Sequence, residues 1–482
     1  MKNFIPLVAL AASAGWFSSM AAVAAPAAHA AEWPMFRGPN GSGTAPEARP
    51  PVDISATERV AWKVEVSWSP SSPVVAGERL FLTTFADKRL ETRAYATSDG
   101  RLLWSRNSPY DSLEEFHGTE GSPAAGSPAT DGTTVVSYFG SSGLVAYDVE
   151  GKELWRQKLP VAATSGNFGS GTSPLLHDGR VILNRDVAGG PSIFAFDLKT
   201  GAKLWETPRV GAPTSYGTPA VWSANGTPEI IVAGSLTVRA YDPVSGSERW
   251  HVNGLPSFAC TTPVFGDGLL FFAGWAPGKA DSPWPTWAST VEKQDKNGDG
   301  WLSVDEFEMG PTWFKAQDID GNGRIEKSDW ETIGGLMKRG ENVLLAIKPG
   351  GVGDVSETHV AWRFTRGLPY VPSPLHYDGR IYLVKDGGMM SSFDAKTGKA
   401  HYVQERLGAA GNYYASPVGA DGHIYLASLE GKLTVVKAGG DTPEVVHRAD
   451  FGERVAGTPA LAGNRLYLRT ESRLFAFERS VR

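Results

Sequence analysis

Residues 173–205 read SPLLHDGRVILNRDVAGGPSIFAFDLKTGAKLW. After the Ser-Pro pair, two short apolar runs flank a turn at Asp178-Gly179, and a third run leads through a second glycine-containing turn to Trp205. Such turns are typical of tight β-hairpins, because glycine adopts positive φ without a steric cost. The stretch therefore predicts four short antiparallel strands in succession, the last of which carries a tryptophan.

The same pattern recurs along the whole chain, each time beginning at a Ser/Thr-Pro pair. Successive pairs are 55, 46, 45, 44, 111, 43 and 42 residues apart. The usual period is thus about 44 residues, and one unit is oversized by roughly 67 residues. A period of ~40–50 residues with several short strands indicates a β-propeller blade, and eight pairs indicate eight blades. The pairs begin at Ser72, Ser127, Ser173, Thr218, Thr262, Ser373, Ser416 and Thr458.

The two ends of the chain complete the repeat. The eighth unit stops after its third apolar run, LFAFER at 474–479, and lacks a fourth. RVAWKVEV at 59–66 belongs to no unit and is similar to HVAWRFTR at 359–366, which ends the fifth unit. A terminal strand that fills the last blade joins the ends of the ring and covers a sheet edge. We therefore predict an all-β, eight-bladed β-propeller closed by the N-terminal strand.

The extra residues of the fifth unit fall between its second and third strands, LLFFAGW at 269–275 and ENVLLAIKPGG at 341–351. Inside the insertion, residues 276–340, two segments match the twelve-residue EF-hand calcium loop. In that loop, oxygens at positions 1, 3, 5, 7, 9 and 12 surround a hard cation, and glycine at position 6 allows a sharp bend. The predicted calcium ligands are Asp295, Asn297, Asp299, the Trp301 carbonyl, Ser303 and Glu306 in the first loop, and Asp318, Asp320, Asn322, the Arg324 carbonyl, Glu326 and Asp329 in the second.

Further features of the insertion bear on calcium binding. Leu302 and Ile325 both occupy position 8, where apolar residues of paired EF-hand loops form a short strand bridge. Asp329 replaces glutamate at position 12, and its shorter side chain predicts weaker calcium binding, or more tolerance of magnesium, in the second loop. Residues 275–341 hold 13 Asp and Glu against 8 Lys and Arg, a net charge of −5, so calcium is expected to order this segment. The alternative is an acidic surface loop rich in Asp-Gly turns.

The position of the insertion follows from the alternating strand directions of a blade. The link between the second and third strands lies on the same face as the links between blades. The insertion is therefore predicted to lie near the channel mouth, with short helices because only eleven residues separate its two loops.

The first thirty residues have the pattern of a secretory signal peptide. Lys2 precedes an apolar run at 4–25, and Ala28-His29-Ala30 supplies the small residues of a cleavage site. Proline, glycine and serine interrupt the run, which disfavours a membrane anchor. The segment has no cysteine for lipid attachment. We expect a periplasmic or secreted protein without a lipid anchor.

The composition argues against several classes of function. The single cysteine, Cys260, leaves no intramolecular disulfide and is expected to be a buried small apolar residue. The net charge of −6 argues against a nucleic-acid partner, and no segment after the signal peptide is apolar enough to span a membrane. The sequence has no readable Ser-His-Asp set, zinc spacing or phosphate loop, so no catalytic residue is predicted.

Several units share an ending, as in AYATSDGRLLW, AYDVEGKELW and AYDPVSGSERW, whereas SFDAKTGKAHY ends in Tyr402. This ending resembles the tryptophan-docking motif of the quinoprotein, or PQQ-like, β-propellers, and WPMFRGPNGSG at 33–43 is similar to the start of secreted bacterial members. The resemblance covers roughly residues 59–478 apart from the insertion, and it is specific for fold but weak for function. The predicted organisation is a signal peptide at 1–30, an N-terminal extension at 31–58, propeller segments at 59–275 and 341–482, and an EF-hand pair at 276–340.

Three functions are consistent with these observations. The favoured one is a non-catalytic binding or scaffold protein, expected to be monomeric, that takes an unknown protein or small molecule at a propeller face. The second is a PQQ-dependent dehydrogenase of alcohols or sugars. The third is a scaffold similar to the propeller lipoprotein of the outer-membrane barrel assembly machinery.

The resemblance also implies what a dehydrogenase would need. It implies a quinone and a calcium ion at the propeller axis, an Asp base and, in many members, a disulfide between adjacent cysteines. This chain has no cysteine pair and lacks the large insertions that enclose such a cofactor. Candidate axial residues, taken from the inter-blade segments, are His117, Glu120, Asn167, Tyr216, Arg366, Tyr370, Asn412, Tyr413 and Arg454.

Overall fold

Eight four-stranded antiparallel sheets follow one another along the chain, which confirms the predicted eight-bladed propeller. Each sheet begins after one Ser/Thr-Pro pair, and its strands pair in chain order because successive strands are joined by short hairpins. The computed structural model describes Met1 and residues 32–480, apart from 165–167, 189, 212–213, 278–283 and 320–321. Apart from Met1, the predicted signal peptide therefore lies outside the described residues.

Among the first four blades, blades 1 and 4 each have a short fifth strand at one edge of the sheet. β1 (Glu32–Trp33) joins blade 1, and β22 (Gly353–Asp354) runs parallel to the last strand of blade 4. The strands of these blades are β3 (Val74–Ala76), β4 (Arg79–Ala86), β5 (Arg89–Ala96) and β6 (Leu102–Asn107); β7 (Ala129–Thr130), β8 (Thr134–Phe139), β9 (Gly143–Asp148) and β10 (Glu153–Gln157); β11 (Leu175–His177), β12 (Arg180–Arg185), β13 (Ser192–Asp197) and β14 (Lys203–Pro208); and β15 (Ala220–Trp222), β16 (Glu229–Ala233), β17 (Thr237–Tyr241) and β18 (Glu248–Asn253).

Blades 5 to 7 repeat this order, and blade 8 draws its fourth strand from the other end of the chain. That strand, β2 (Val60–Glu65), pairs antiparallel with the last strand of the chain, and Trp62 lies opposite Ala476. The remaining strands are β19 (Val264–Gly266), β20 (Leu269–Gly274), β21 (Val343–Ile347) and β23 (Val360–Phe364); β24 (Leu375–Tyr377), β25 (Arg380–Lys385), β26 (Met389–Asp394) and β27 (Ala400–Arg406); β28 (Val418–Ala420), β29 (His423–Ala427), β30 (Lys432–Lys437) and β31 (Glu444–Asp450); and β32 (Ala460–Ala462), β33 (Arg465–Arg469) and β34 (Arg473–Glu478).

The eight Ser/Thr-Pro pairs form a closed ring of hydrogen bonds around the axis, which we call the hydroxyl ring. In each bond the backbone N–H of one Ser or Thr donates to the side-chain oxygen of the next, over 2.9–3.2 Å, and the bond from Thr458 to Ser72 closes the circle. The following proline disfavours helical backbone at the Ser or Thr, which keeps this segment extended. The Ser/Thr-Pro pair that begins each repeat therefore joins neighbouring blades at the axis.

Opening the hydroxyl ring at its closing bond is expected to lower stability. Ser72→Ala leaves the buried backbone N–H of Thr458 without its acceptor, a loss of about 1–3 kcal/mol in the free energy of unfolding. Ser72→Thr keeps the oxygen and serves as the control, because threonine already occupies three ring positions. Urea unfolding of the three proteins measures the difference, and equal stability of Ser72→Ala and the native chain would contradict the prediction.

Tryptophans of the outermost strands join neighbouring blades farther from the axis. The Trp104 indole N–H donates to the Val149 carbonyl of the next blade at 2.9 Å. Its ring lies against Gly151, which has φ 84°, and a Cβ there would stand 2.7 Å from the ring. Only glycine allows this approach. The same contact joins Trp62 to Gly100, Trp155 to Gly201, Trp205 to Gly246 and Trp362 to Gly398.

The N-terminal extension binds the innermost strands of three blades. Its backbone or side chains form hydrogen bonds with Thr130, Val221 and Gly419. Arg37 is fully buried there, donates to the Pro374 carbonyl at 2.6 Å, and has its pKa lowered to about 9 by burial. Residue 36, a phenylalanine, reaches the axis from this side.

The insertion between β20 and β21 has a small core of its own. Its helices are α1 (Trp287–Gln294), α2 (Gly310–Gln317) and α3 (Lys327–Arg339). Thr286 caps α1 by accepting a hydrogen bond from the Ser289 N–H at 3.2 Å. Within the described residues, no helix is long and apolar enough to cross a membrane. The core residues are Leu302, Phe307, Phe314, Ile325 and Trp330, with Trp284 and Trp287 packed against them.

Candidate functional site

A cavity of about 190 Å³ lies on the propeller axis next to the hydroxyl ring. Its wall follows a simple register, because the residue two positions before each Ser or Thr of the ring lines the cavity. These residues were not singled out as a set by the sequence analysis, although the repeat spacing contains the signal. They are Pro70, Ala125, Gly171, Tyr216, Cys260, Val371, Tyr414 and Ala456.

Larger side chains complete the wall of this axial cavity. Phe36, Phe168 and Tyr370 add three aromatic rings, and Glu120 adds a carboxylate. The Tyr414 hydroxyl donates to Glu120 Oε2 at 2.7 Å, a contact between residues 294 positions apart in sequence. The ring of inter-blade links thus assembles a pocket from residues that are far apart in the sequence.

The chemistry of the cavity wall is set by burial and by nearby carboxylates. Burial raises the pKa of the Tyr370 and Tyr414 phenols, and the charges of Glu120 and Asp386 raise both further. The Cys260 thiol is partly exposed to the cavity, and burial raises its pKa to about 12. The thiol is therefore protonated at neutral pH and is a poor nucleophile.

The structure brings together only some of the predicted axial residues. Glu120, Tyr216 and Tyr370 line the cavity, whereas Phe36, Phe168, Cys260 and Tyr414 were missed as axial residues. Asn167 lies outside the described residues. The other candidates lie elsewhere: His117 stacks on Phe168, Arg366 on Phe364 and Arg454 on Trp68, the Tyr413 hydroxyl donates to the Ala409 carbonyl, and the Asn412 N–H donates to Glu430.

The link between blades 1 and 2, residues 108–127, reaches across the axis, and we call it the mouth loop. Two residues of later links hold it: Arg454, between blades 7 and 8, donates to the Thr119 carbonyl, and the Tyr414 hydroxyl, between blades 6 and 7, donates to Glu120. At its base, Glu114 is buried and its Oε2 accepts from the N–H and hydroxyl of Ser170 at 3.0 and 2.8 Å. Burial outweighs these bonds and raises the pKa of Glu114 to about 8.

Stability is expected to fall as the pH rises through the pKa of Glu114. The folded state holds this proton more tightly than the unfolded chain, whose carboxyl has a pKa near 4.5. The stabilisation that protonated Glu114 gives the folded state is therefore complete below about pH 4.5. It is lost as the pH approaches 9, and the free energy of unfolding falls by roughly 2–4 kcal/mol. Glu114→Gln should flatten this part of the stability–pH curve, measured by urea unfolding at each pH, whereas Asp111→Asn at an exposed site should leave it unchanged. A curve that keeps its native slope in Glu114→Gln would contradict this role.

The first of the two predicted calcium loops, residues 295–306, turns its carboxylates inward. Asp295 accepts hydrogen bonds from the N–H groups of Gly298 at 2.7 Å and Gly300 at 2.9 Å. At the end of the loop, Glu306 Oε2 accepts from the Ser303 N–H at 2.9 Å and from its hydroxyl at 2.7 Å. These bonds, led by that from the Ser303 N–H, lower the pKa of Glu306 to about 2.

The second predicted calcium loop, residues 318–329, repeats this arrangement with a shorter final side chain. Asp318 accepts from the Gly323 N–H at 2.8 Å, and Asp329 accepts from the Glu326 N–H at 2.9 Å. Glu326 and Asp329 together form the capping box of α3, so the loop end and the helix start share residues. Asp320 lies outside the described residues.

The two loops are joined as a pair. Leu302 and Ile325 exchange two backbone hydrogen bonds of 3.0 Å, forming an isolated antiparallel bridge. Arg324 lies over the Trp301 ring at 4.4 Å. No three His, Cys, Asp or Glu side chains in the described part of the chain converge as a metal site. The oxygen-rich donor set nevertheless suits a hard cation such as calcium.

The neck of the insertion contacts the wall of the axial cavity. Asn342 and Ala276 exchange two hydrogen bonds, of 2.9 and 3.1 Å, where the insertion leaves blade 5. Beside them, Trp275 packs edge-on against Tyr370, with ring centres 5.7 Å apart. The insertion and the cavity therefore lie on the same side of the propeller.

Comparison with known proteins agrees with this architecture. Residues 93–256, about a third of the chain, match the family model described as outer membrane protein assembly factor BamB (PQQ_2). No curated protein sequence matches the chain.

Solved structures share the propeller fold at low sequence identity. BamB from Moraxella catarrhalis is 13% identical with a TM-score of 0.53, and the match covers 87% of this chain and 97% of that one. A europium-containing methanol dehydrogenase is 10% identical with a TM-score of 0.54, covering 93% and 98% of the two chains. The computationally designed Ika8 protein is 11% identical with a TM-score of 0.52, covering 87% and 99%. The chain thus has the PQQ-like, eight-bladed fold that occurs in assembly factors and in dehydrogenases alike.

Proposed function

We propose that this protein is an exported, calcium-binding β-propeller that binds a ligand or partner without catalysis. The observation that carries the proposal is the pair of inward-turned loops, in which Asp295 and Glu306 bond backbone N–H groups from opposite ends of one turn. A calcium ion in such a loop neutralises carboxylates that otherwise repel one another. Calcium is therefore expected to order the insertion beside the axial cavity.

Two calcium sites of unequal strength follow from the chemistry of position 12. Glu306 can reach the ion with both carboxylate oxygens, whereas Asp329 is one methylene shorter. Asp329 also accepts the Glu326 N–H as part of the α3 capping box. We propose calcium as the ion of the first loop and a weaker calcium site in the second.

Calcium titration of the purified chain tests this proposal. We expect two heats of binding and a shift of tryptophan emission, because Trp301 lies within the first loop under Arg324. Glu306→Gln should weaken the tighter site at least about 100-fold by removing a charged ligand. Glu308→Gln is the matched control, since Glu308 lies two residues away and pairs with Lys293 outside the loop.

Two outcomes would contradict calcium binding. One is the absence of both heat and an emission change up to millimolar calcium. The other is an equal loss of affinity in Glu306→Gln and Glu308→Gln, which would make the charge of the segment, rather than the loop, responsible.

The binding role is favoured over the quinone-dependent dehydrogenase by the residues at the axis. PQQ carries three carboxylates, and among the described residues that line the axial cavity there is no Lys or Arg, whereas Glu120 is acidic. The volume of about 190 Å³ is also below the ~300–1,000 Å³ of pockets that hold drug-sized ligands. The described wall therefore offers no cationic partner for the carboxylates of PQQ.

Mixing the protein with PQQ and calcium tests this choice. We expect no change in the quinone absorbance and no dye-linked oxidation of alcohols or sugars. A saturable absorbance change together with turnover would establish the dehydrogenase and overturn the non-catalytic role.

A further inference from the structure

We propose that the axial cavity binds a small organic ammonium cation whose charge is spread over methyl groups, as in choline. This deepens the proposed binding function by naming the class of ligand. The inference rests on the wall composition, the sign of the surrounding charges and the size of the cavity.

The wall combines aromatic rings with small residues. Phe36, Phe168, Tyr216, Tyr370 and Tyr414 surround the space, and small residues on the remaining links leave it open. Aromatic rings attract cations through their quadrupole, and aromatic cages are a recurring solution for quaternary ammonium groups. The cavity therefore offers an ammonium ligand both apolar contact for its methyl groups and compensation of its charge.

The charges around the cavity favour a cation. Glu120 is part of the wall, and it acts together with Asp386 on Tyr370 and Tyr414. The nearby cation Arg454 stacks on Trp68 and donates to the carbonyl of Thr119. Glu120 is the only charged side chain among the described residues of the wall, and its charge favours a cation over an anionic ligand.

The donor set distinguishes an organic cation from a metal ion. A calcium ion needs six to eight oxygen ligands, and protein sites usually supply several of them as carboxylates. Glu120 is the one acidic side chain among the described residues of the wall. One carboxylate and several aromatic rings suit a cation whose charge is spread over several atoms. The cavity volume of about 190 Å³ suits a ligand of fragment size.

Binding of choline to the calcium-saturated full-length chain tests the proposal. Its neutral isostere, 3,3-dimethylbutan-1-ol, has the same shape without the charge and serves as the ligand control. By isothermal titration calorimetry we expect choline to bind at least about tenfold more tightly than the alcohol. Equal affinities, or no binding of choline at concentrations up to 50 mM, would overturn the proposal.

Two variants assign the binding to this cavity. Glu120→Gln removes the charge but keeps an acceptor for Tyr414, and it should weaken choline about tenfold without affecting the alcohol. Phe168→Leu should weaken choline while circular dichroism and the unfolding midpoint confirm a folded chain. Glu150→Gln, on an exposed turn of blade 2 paired with Arg79, should leave choline binding unchanged. A similar loss in Glu150→Gln would place the site elsewhere and overturn the proposal.

The failure of this inference can be told from the failure of the proposed function. Calcium binding is read from its own heat and from the Glu306→Gln variant, with no ammonium ligand present. If calcium binding released heat but choline did not bind, only the ammonium site would be contradicted. If choline bound but calcium binding gave no heat, only the calcium-binding role of the insertion would be contradicted.

Discussion

Replacing Asp186 with asparagine is expected to lower the free energy of unfolding by about 3–5 kcal/mol. Asp186 and Arg209 form an ion pair with both side chains fully buried, and Arg209 Nε donates to Asp186 Oδ1 at 2.7 Å. The Ser215 hydroxyl donates to the other carboxylate oxygen, and Arg209 Nη1 donates to the Tyr241 hydroxyl at 2.6 Å. Asparagine leaves a buried guanidinium without a counter-charge and places an amide donor against other donors.

The measurement is urea unfolding of the native chain and of two matched variants. Asp178→Asn is the control, because Asp178 also pairs with an arginine, Arg180, but its side chain is 76% exposed. An exposed pair contributes only about 0–1 kcal/mol, so this variant should unfold close to the native midpoint. If Asp186→Asn unfolded at the same midpoint as Asp178→Asn, the buried pair would not contribute the expected stability.

The second large effect is expected at the seam where the chain closes. Trp62→Ala should cost about 3–5 kcal/mol, the usual range for removing a buried tryptophan. The side chain is 7% exposed, its indole N–H donates to the Thr97 carbonyl at 2.8 Å, and its ring covers Gly100. Because Trp62 lies on β2, its loss also weakens the only contact of this kind between blade 8 and blade 1 among the described residues.

Limited proteolysis can distinguish the role of Trp62 in closing the ring from the packing role that every inter-blade tryptophan has. Trp205→Ala removes the corresponding contact between blades 3 and 4, where the strand is continuous with its own blade. Trp62→Ala should therefore become sensitive to cleavage around residues 59–66, whereas Trp205→Ala should lose stability without a new cleavage site there. Equal cleavage patterns in the two variants would count against a special role of the seam.

The blade number was predictable because each blade repeats one short pattern. Local hydrophobic runs, Asp-Gly turns and a Ser/Thr-Pro pair recur often enough to count eight units from spacing alone. The pairing of RVAWKVEV with the last blade was also predictable, because one unit lacked a strand and one strand lacked a unit, and β2 does lie against β34. What the pairs do was not predicted, since a ring of hydrogen bonds between residues of eight blades has no local signature.

The axial site was less accessible to sequence reasoning. Three of the nine candidates line the cavity. Cys260, expected to be a buried small apolar residue, is partly exposed and lies in the cavity wall with Tyr216 and Tyr370. The missing information was the register: the wall residue stands two positions before the hydroxyl of each ring pair. Tyr414, for example, precedes Ser416 by two, while its neighbour Tyr413 points into the core between blades 6 and 7.

By itself, the sequence determined the eight repeated units, the strand that completes the last one and the positions of the two calcium-loop motifs. These depend on patterns within about fifty residues, which can be recognised without knowing the tertiary structure. Only the tertiary structure decided that Glu120 meets Tyr414, that Asp186 meets Arg209, and that eight hydroxyls close a ring. The first and last of these contacts arise when circular closure brings distant links to one axis, whereas Asp186 meets Arg209, 23 residues away, when the segment after β12 packs against the segment after β14. None of them is contained in one short stretch of sequence.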